Sequence, residues 1–276
     1  MEEKIDKLRN CIKNNPNLTD VFKVNLGTLT DTLVTVFPEY DYSDFERVLS
    51  TLKVSSESLD TYSSIDKESN IIKIDTEKVF EDRIDMQHLF LNDLLELGSK
   101  INTNEGFKRG ITEAISSTMN NDESMKKLNP MEYTLISIFS KIIDPKVIID
   151  SYMNAGLTDI IFALETVGIT KEEFDLLVGK FDTLKQDSNS FADIEVQMID
   201  MYGKSMKHNL DTGFITFDDL NDKYDIFRDM LITKRSELES MYPYHDFSLL
   251  KGFEKVNDKL DKAIINSEVE ISSMTK

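Results

Sequence analysis

The stretch from Ile84 to Ser99 reads Ile-Asp-Met-Gln-His-Leu-Phe-Leu-Asn-Asp-Leu-Leu-Glu-Leu-Gly-Ser. Its apolar residues recur at helical spacing, so the stretch predicts an amphipathic helix. On a wheel of about 100° per residue, five of its polar side chains share one arc of roughly 140°; they are His88, Asn92, Asp93, Glu96 and Ser99. Such an arc is either the solvent-facing side of the helix or the lining of a site.

The sequence before this stretch contains a short β element. Asn70–Asp75 reads Asn-Ile-Ile-Lys-Ile-Asp, and its β-branched alternation predicts a strand, with Tyr62–Ile65 as the partner in a hairpin. Elsewhere apolar residues recur at helical spacing, and Thr170 with Glu173 forms a capping-box pattern. The sequence therefore predicts a mainly α fold, of the α+β class, with a small β-hairpin.

The predicted organisation has two parts. A helical domain with the short β element covers residues 1–165, a soft boundary falls near Gly168, and a helical C-terminal region packed on that domain covers residues 166–276. No apolar stretch reaches the ~20 residues that span a bilayer.

Composition limits the classes of function and partner. The chain has 51 acidic and 32 basic residues, a formal charge of -19, and no basic patch, so neither nucleic acid nor a membrane surface is an expected partner.

The one cysteine excludes an intrachain disulfide, and the charged N-terminus lacks a signal-peptide pattern. We expect a cytoplasmic protein. Its low glycine content and many Lys, Asn, Ile and Asp residues suit an AT-rich bacterial genome or its phage.

A second polar segment follows the predicted helix. Gly106–Glu113 reads Gly-Phe-Lys-Arg-Gly-Ile-Thr-Glu. Together with Ile84–Ser99 and the preceding strand, it resembles the core of gluzincin-type zinc metallopeptidases. Members of that family carry His-Glu-x-x-His on one helix and a third ligand, a glutamate, in a motif like Asn-Glu-Gly-x-Thr-Glu. The resemblance covers roughly residues 62–165 and implies a zincin-like core there.

The residues that would bind zinc are replaced. In the matching positions, Asn92 stands for the first histidine, Asp93 for the general-base glutamate, Glu96 for the second histidine and Arg109 for the third ligand. Asparagine is a poor zinc ligand, and a guanidinium repels a dication. At an effective dielectric of about 20, like charges ~4 Å apart repel by roughly 4 kcal/mol per unit-charge pair, and a dication doubles this. We therefore expect no catalytic residue, no bound metal and no cofactor.

The resulting prediction is a zincin-like pseudoenzyme that binds a protein or serves as a structural component. One alternative is an atypical metal-dependent hydrolase built from Asp93, Glu96 and His88. Another is that the resemblance is accidental and the chain is an unrelated helical scaffold or assembly protein. His88, Asn92 and Glu96 lie at four-residue steps, but one imidazole, one amide and one carboxylate form an incomplete metal-ligand set.

Two motif positions change charge together: the acidic Glu96 stands where the family has a histidine, and the basic Arg109 stands where it has a glutamate. This joint change suggests an ion pair. In this hypothesis Arg109 replaces the metal as the positive centre and pairs with Glu96 or Asp93, while Glu113 supports it four residues along the same helix. The alternative is that Arg109 faces solvent, where an ion pair would stabilise little.

Overall fold

The structure of the protein is a computed structural model that describes residues 1–120, 127–184, 189–241 and 253–274. It is mainly helical with a small three-stranded sheet, which confirms the predicted fold class. Among the described helices, none is both long and apolar enough to cross a membrane.

The elements follow one another in a simple order. Three helices precede the sheet: α1 (Glu2–Asn14), α2 (Asp20–Val36) and α3 (Ser43–Thr51). The strands are β1 (Lys53–Ser56), β2 (Ser63–Asp66) and β3 (Ile71–Ile74). The described helices after the sheet are α4 (Thr76–Glu81), α5 (Met86–Gly98), α6 (Glu105–Asn120), α7 (Pro130–Phe139), α8 (Pro145–Asp150), α9 (Thr158–Thr166), α10 (Lys171–Phe181), α11 (Asn189–Asp211), α12 (Phe217–Met241) and α13 (Phe253–Met274), with a π-helical turn at Ser151–Ala155.

The sheet contains the predicted hairpin and one more strand. β2 and β3 pair antiparallel, with Ile65 opposite Ile72, as the alternation predicted. β1 pairs with the other edge of β3 and runs parallel to it, with Val54 also opposite Ile72. The sequence did not predict β1, because Lys-Val-Ser-Ser has little intrinsic strand preference and its conformation depends on β3.

The described chain divides into two compact units. Unit 1 contains residues Met1–Lys100, Thr112–Leu128 and Tyr152–Gly156, and unit 2 contains Ile101–Ile111, Asn129–Ser151 and Leu157–Lys276. Unit 2 thus takes residues from both sides of the predicted boundary after residue 165.

Helix α5 is fixed in unit 1 by a cap at its start and by close packing at its end. The side chain of Asp85 accepts a hydrogen bond from the His88 amide at 2.8 Å, which satisfies one of the free donors of the first turn. At the other end, the ring of Phe45 on α3 lies directly over Gly98, where a β-carbon would collide with it. The glycine therefore lets α3 and α5 approach closely.

Unit 2 has a core of aromatic rings and one buried ion pair. Phe107 on α6 makes edge-to-face contacts with three rings of other helices, namely Phe139, Phe174 and Phe181. Glu195 on α11 and Arg235 on α12 form a two-pronged ion pair with exposures of 0% and 4%. Removing one member of such a pair leaves an uncompensated charge in the interior.

This ion pair gives a test of the packing between α11 and α12. We expect Arg235→Met to lower the free energy of unfolding by about 3–5 kcal/mol, because Glu195 then stays buried without its partner. The double variant Arg235→Met with Glu195→Leu should recover most of that loss. Urea unfolding followed by circular dichroism measures both. Lys171→Met, which removes an exposed pair with Asp175, is the control and should cost less than about 0.5 kcal/mol. An equal loss in the single variant and the control would contradict this prediction.

Candidate functional site

The polar arc of α5 lies inside unit 1 rather than on its surface. His88 is fully buried, and Asn92 and Asp93 are 4% and 6% exposed. Three of the five polar residues singled out on this helix therefore lack access to solvent, and the interpretation of the arc as a wet face is wrong for them. Buried polar groups need hydrogen-bond partners, so the neighbours of these side chains define the candidate site.

The second half of α6 supplies the partners of His88 and Asn92. Nε2 of His88 lies 2.7 Å from Oε1 of Glu113, and neither side chain is exposed. The amide nitrogen of Asn92 donates to Oγ of Ser116 at 3.0 Å and to the backbone oxygen of His88 at 3.0 Å. The two helices that carry the motif-like segments therefore meet directly within unit 1.

Both nitrogens of the His88 ring and both oxygens of Glu113 are engaged. Nδ2 of Asn120 lies 3.0 Å from Nδ1 of His88, and the Leu128 amide donates to Oε2 of Glu113 at 3.2 Å. A neutral imidazole with its proton on Nε2 fits this arrangement, because Nε2–H then donates to Glu113 while Nδ1 accepts from Asn120. The His88–Glu113 pair thus ties α5 to the second half of α6 and to the backbone of Leu128.

Asp93 faces a different neighbour. Its Oδ1 accepts a hydrogen bond from Oγ of Ser63 on β2 at 2.9 Å, while its Oδ2 is buried without a partner. Burial raises the pKa of Asp93 to about 8; the bond from Ser63 opposes this rise and the charge of Glu96 adds to it. At neutral pH this carboxyl group is therefore mostly protonated.

Arg109 pairs with a residue that the sequence analysis did not single out. Its Nε and Nη2 lie 3.4 and 3.3 Å from Oε1 of Glu132 on α7, whose side chain is 2% exposed. This corrects the predicted pairing of Arg109 with Asp93 or Glu96. The physical reason is Gly110, where a β-carbon would collide with the Glu132 backbone oxygen, so that α7 packs closely beside Arg109. The predicted support of Arg109 by Glu113 is corrected as well, because Glu113 faces His88.

The structure brings only some of the predicted residues together. His88, Asn92 and Glu113 form one buried cluster, which we call the α5–α6 cluster and which also includes Ser116 and Asn120. Sequence spacing could have identified those two, because they follow Glu113 by three and seven residues and so share its face of the helix. The sequence contains no comparable spacing that would identify Ser63 or Glu132. Each contacts its partner, Asp93 or Arg109, only because separate segments of the chain pack together.

The residues present do not fit the zinc ion that the resemblance implies. The nitrogen of the Asn92 side chain, rather than its oxygen, is directed to neighbouring acceptors, and Arg109 is a fixed cation held by Glu132. Within the described residues, no three His, Cys, Asp or Glu side chains form a group that could hold a metal ion. Among the described side chains, Oδ1 of Asn92 is a buried oxygen of the cluster that has no hydrogen-bond partner.

Comparison with known proteins gave no relative. No family model, no curated protein and no solved structure matches this chain.

The pKa of Asp93 predicts how stability depends on pH. In the unfolded chain Asp93 loses its proton near the ordinary pKa of 3.8, whereas in the folded protein it keeps the proton up to about pH 8. Between these two pH values the folded state binds more protons, so the free energy of unfolding falls as the pH rises. Asp93→Asn removes this titration. We expect the variant to melt at a higher temperature than the wild-type protein at about pH 8, and the difference in melting temperature to be smaller at about pH 5. Each kcal/mol of difference in unfolding free energy corresponds to roughly 2–4 °C in melting temperature.

Differential scanning fluorimetry at both pH values measures this effect. Asp229→Asn, an exposed position on α12, is the matched control and should show no such difference between the two pH values. A change in melting temperature that is the same at both pH values would be inconsistent with a protonated Asp93.

The His88–Glu113 pair predicts a second effect on stability. Glu113→Gln keeps the size of the side chain but leaves it with one acceptor, although both the His88 ring and the Leu128 amide donate to Glu113. We expect the free energy of unfolding to fall by about 1–3 kcal/mol, measured by urea unfolding. Glu172→Gln, at an exposed position of α10, is the control. Equal stability of Glu113→Gln and wild type would show that the pair is not important for folding.

Proposed function

We propose that this protein is a non-catalytic, zincin-like protein that acts in the cytoplasm by binding another protein or as a structural component. One observation carries the proposal: three of the four motif positions are committed to contacts inside the protein. Asn92 donates to Ser116, Asp93 accepts from Ser63, and Arg109 pairs with Glu132. Side chains fixed in this way support packing instead of holding a metal and a reactive water.

The state of Asp93 also supports a non-catalytic role. A general base in hydrolysis must accept a proton from water and must reach that water within hydrogen-bond distance. Asp93 stands at the position of the base, but its pKa is about 8 and its side chain is 6% exposed. A buried and protonated carboxylic acid can neither take up the proton nor contact the substrate.

The two alternatives differ in how they account for the α5–α6 cluster. An atypical hydrolase would need His88 and Asp93 to act on one substrate, whereas His88 faces Glu113 and Asp93 faces Ser63 on the sheet. The resemblance predicted a hairpin before α5 and direct contact between α5 and α6, and both are present. The zincin-like interpretation accounts for both features, so we favour it.

Zinc retention and hydrolysis test the non-catalytic role. After dialysis of the purified full chain, we expect zinc far below one ion per chain by atomic emission, and no cleavage of a random peptide library. The control is the variant Asn92→His, Asp93→Glu, Glu96→His, which restores two imidazoles four residues apart on α5 and should retain more zinc. Its helix content, measured by circular dichroism, shows whether it folds.

A second control measures zinc that binds unspecifically. Glu3→His with Lys7→His places two exposed histidines four residues apart on α1. Stoichiometric zinc in the wild-type protein, lost on Glu96→Gln and accompanied by peptide cleavage, would overturn the proposal in favour of the atypical hydrolase.

The binding role needs its own test. The charge of -19 favours a partner with a basic surface, because opposite charges accelerate and stabilise encounter. We expect crosslinking in the producing cells, followed by mass spectrometry, to join the chain reproducibly to one protein, and the purified pair to bind less tightly at high salt. Crosslinks to the same chain alone would contradict a heterologous partner.

A further inference from the structure

Helix α2 of unit 1 has an outer face without charged residues, which we call the α2 face. It lies opposite the buried side of the helix and consists of Val21, Val24, Thr28, Thr32 and Thr35. Both valines are 69% exposed. The charged residues of α2 are Asp20, Lys23 and Asp31, and on a wheel of about 100° per residue all three lie on one flank of this face. A helix side that faces solvent normally carries charged and polar residues, so the α2 face is unlike an ordinary exposed surface.

The threonines of the α2 face can be covered without loss of hydrogen bonds. Each hydroxyl group already donates to a backbone oxygen of the same helix: Thr28 to Val24 at 3.2 Å, Thr32 to Thr28 at 3.0 Å, and Thr35 to Asp31 at 2.7 Å. A partner that covers these side chains therefore leaves no donor without an acceptor. It removes the methyl groups of the threonines and valines from water, which is favourable.

The spacing of the α2 face is symmetric about Thr28. Val24 and Thr32 lie four residues before and after it, and Val21 and Thr35 lie seven residues before and after it. When two such helices cross antiparallel with Thr28 at the two-fold axis, Val24 of one copy faces Thr32 of the other, and Val21 faces Thr35. An isologous interface requires this match, because the same patch of both copies must meet itself. The face is therefore complementary to a second copy of itself.

The charge of the chain favours the same occupant. Each copy carries a net charge of -19, so two copies repel wherever their charged surfaces approach. The α2 face avoids this repulsion at the point of contact, and salt screens charges that lie more than about 8 Å away. A basic partner, in contrast, would gain no charge attraction from this face.

We propose that the α2 face joins two copies of this chain as an antiparallel, two-fold symmetric helix pair centred on Thr28. The two helix axes then lie about 8–10 Å apart. One helix face covers less than the roughly 800 Å² per partner of a standard interface, so the dimer is weak, with a dissociation constant on the order of 100 µM. The inference does not depend on the proposed function, because no residue of the α2 face belongs to the α5–α6 cluster.

Sedimentation equilibrium of the full chain tests the dimer. From about 10 µM to about 1 mM in about 0.15 M salt, we expect a reversible monomer–dimer equilibrium. Thr28→Asp places two carboxylates against each other at the axis and should raise the dissociation constant at least about tenfold. Thr118→Asp is the matched control, because Thr118 is an exposed threonine of α6 whose hydroxyl also donates to its own helix, at 2.9 Å. It adds the same charge and should leave the dissociation constant unchanged; circular dichroism shows that both variants fold.

Single cysteines test the antiparallel arrangement. In a Cys11→Ser background, which removes the one native thiol, Thr28→Cys places two thiols across the axis, where oxidation with diamide should link them. Val21→Cys in the same background should not link, because position 21 of one copy faces position 35 of the other. The 14 residues between these positions, at about 1.5 Å each, separate the two thiols by about 21 Å.

Three results would overturn the inference. One is a chain that stays monomeric over the whole concentration range, and another is a dimer that Thr28→Asp leaves intact. Equal linking of Thr28→Cys and Val21→Cys would replace the antiparallel pair with a parallel one. A monomeric chain whose crosslinks to a different protein are lost on Thr28→Asp would assign the α2 face to that protein.

Discussion

The hydrogen bond between His88 and Glu113 is the constraint on which the centre of unit 1 depends. It joins α5 to α6 in a region from which solvent is excluded, and each of its two groups is bonded to a further residue on the other side. A polar pair in such surroundings stabilises the fold only when every donor and acceptor is matched. Asn120 and Leu128 supply those matches for the pair, and Ser116 accepts a hydrogen bond from Asn92 beside it.

This constraint changes the meaning of the polar arc on α5. A helix with five polar positions on one side normally orients them toward water, but here His88 and Asn92 face polar residues of α6, and Asp93 faces Ser63 on β2. The apolar residues on the remaining sides of α5 pack against α2, α3 and the sheet. The helix is therefore buried on nearly every side, and hydrogen bonds of His88 and Asn92 join it to α6.

Local patterns predicted much of the fold, and distant contacts explain what they missed. The alternation in Asn70–Asp75 predicted the hairpin, and the capping box at Thr170 is formed. Strand β1 and the Arg109–Glu132 contact depend on segments that are far apart in sequence. The spacing of His88 and Asn92 was visible, but their burial was not, because it depends on where α6 lies. The gluzincin resemblance remains an interpretation of sequence pattern.

The contact between Arg109 and Glu132 limits which side chains position 109 can accept. A glutamate there would lie beside the buried Glu132 carboxylate, and two such charges in a poorly solvated place repel strongly. An acidic residue at 109 would therefore be tolerated only together with a neutral residue at 132. The two positions are thus expected to change as a pair in any variant that keeps this packing of α6 against α7.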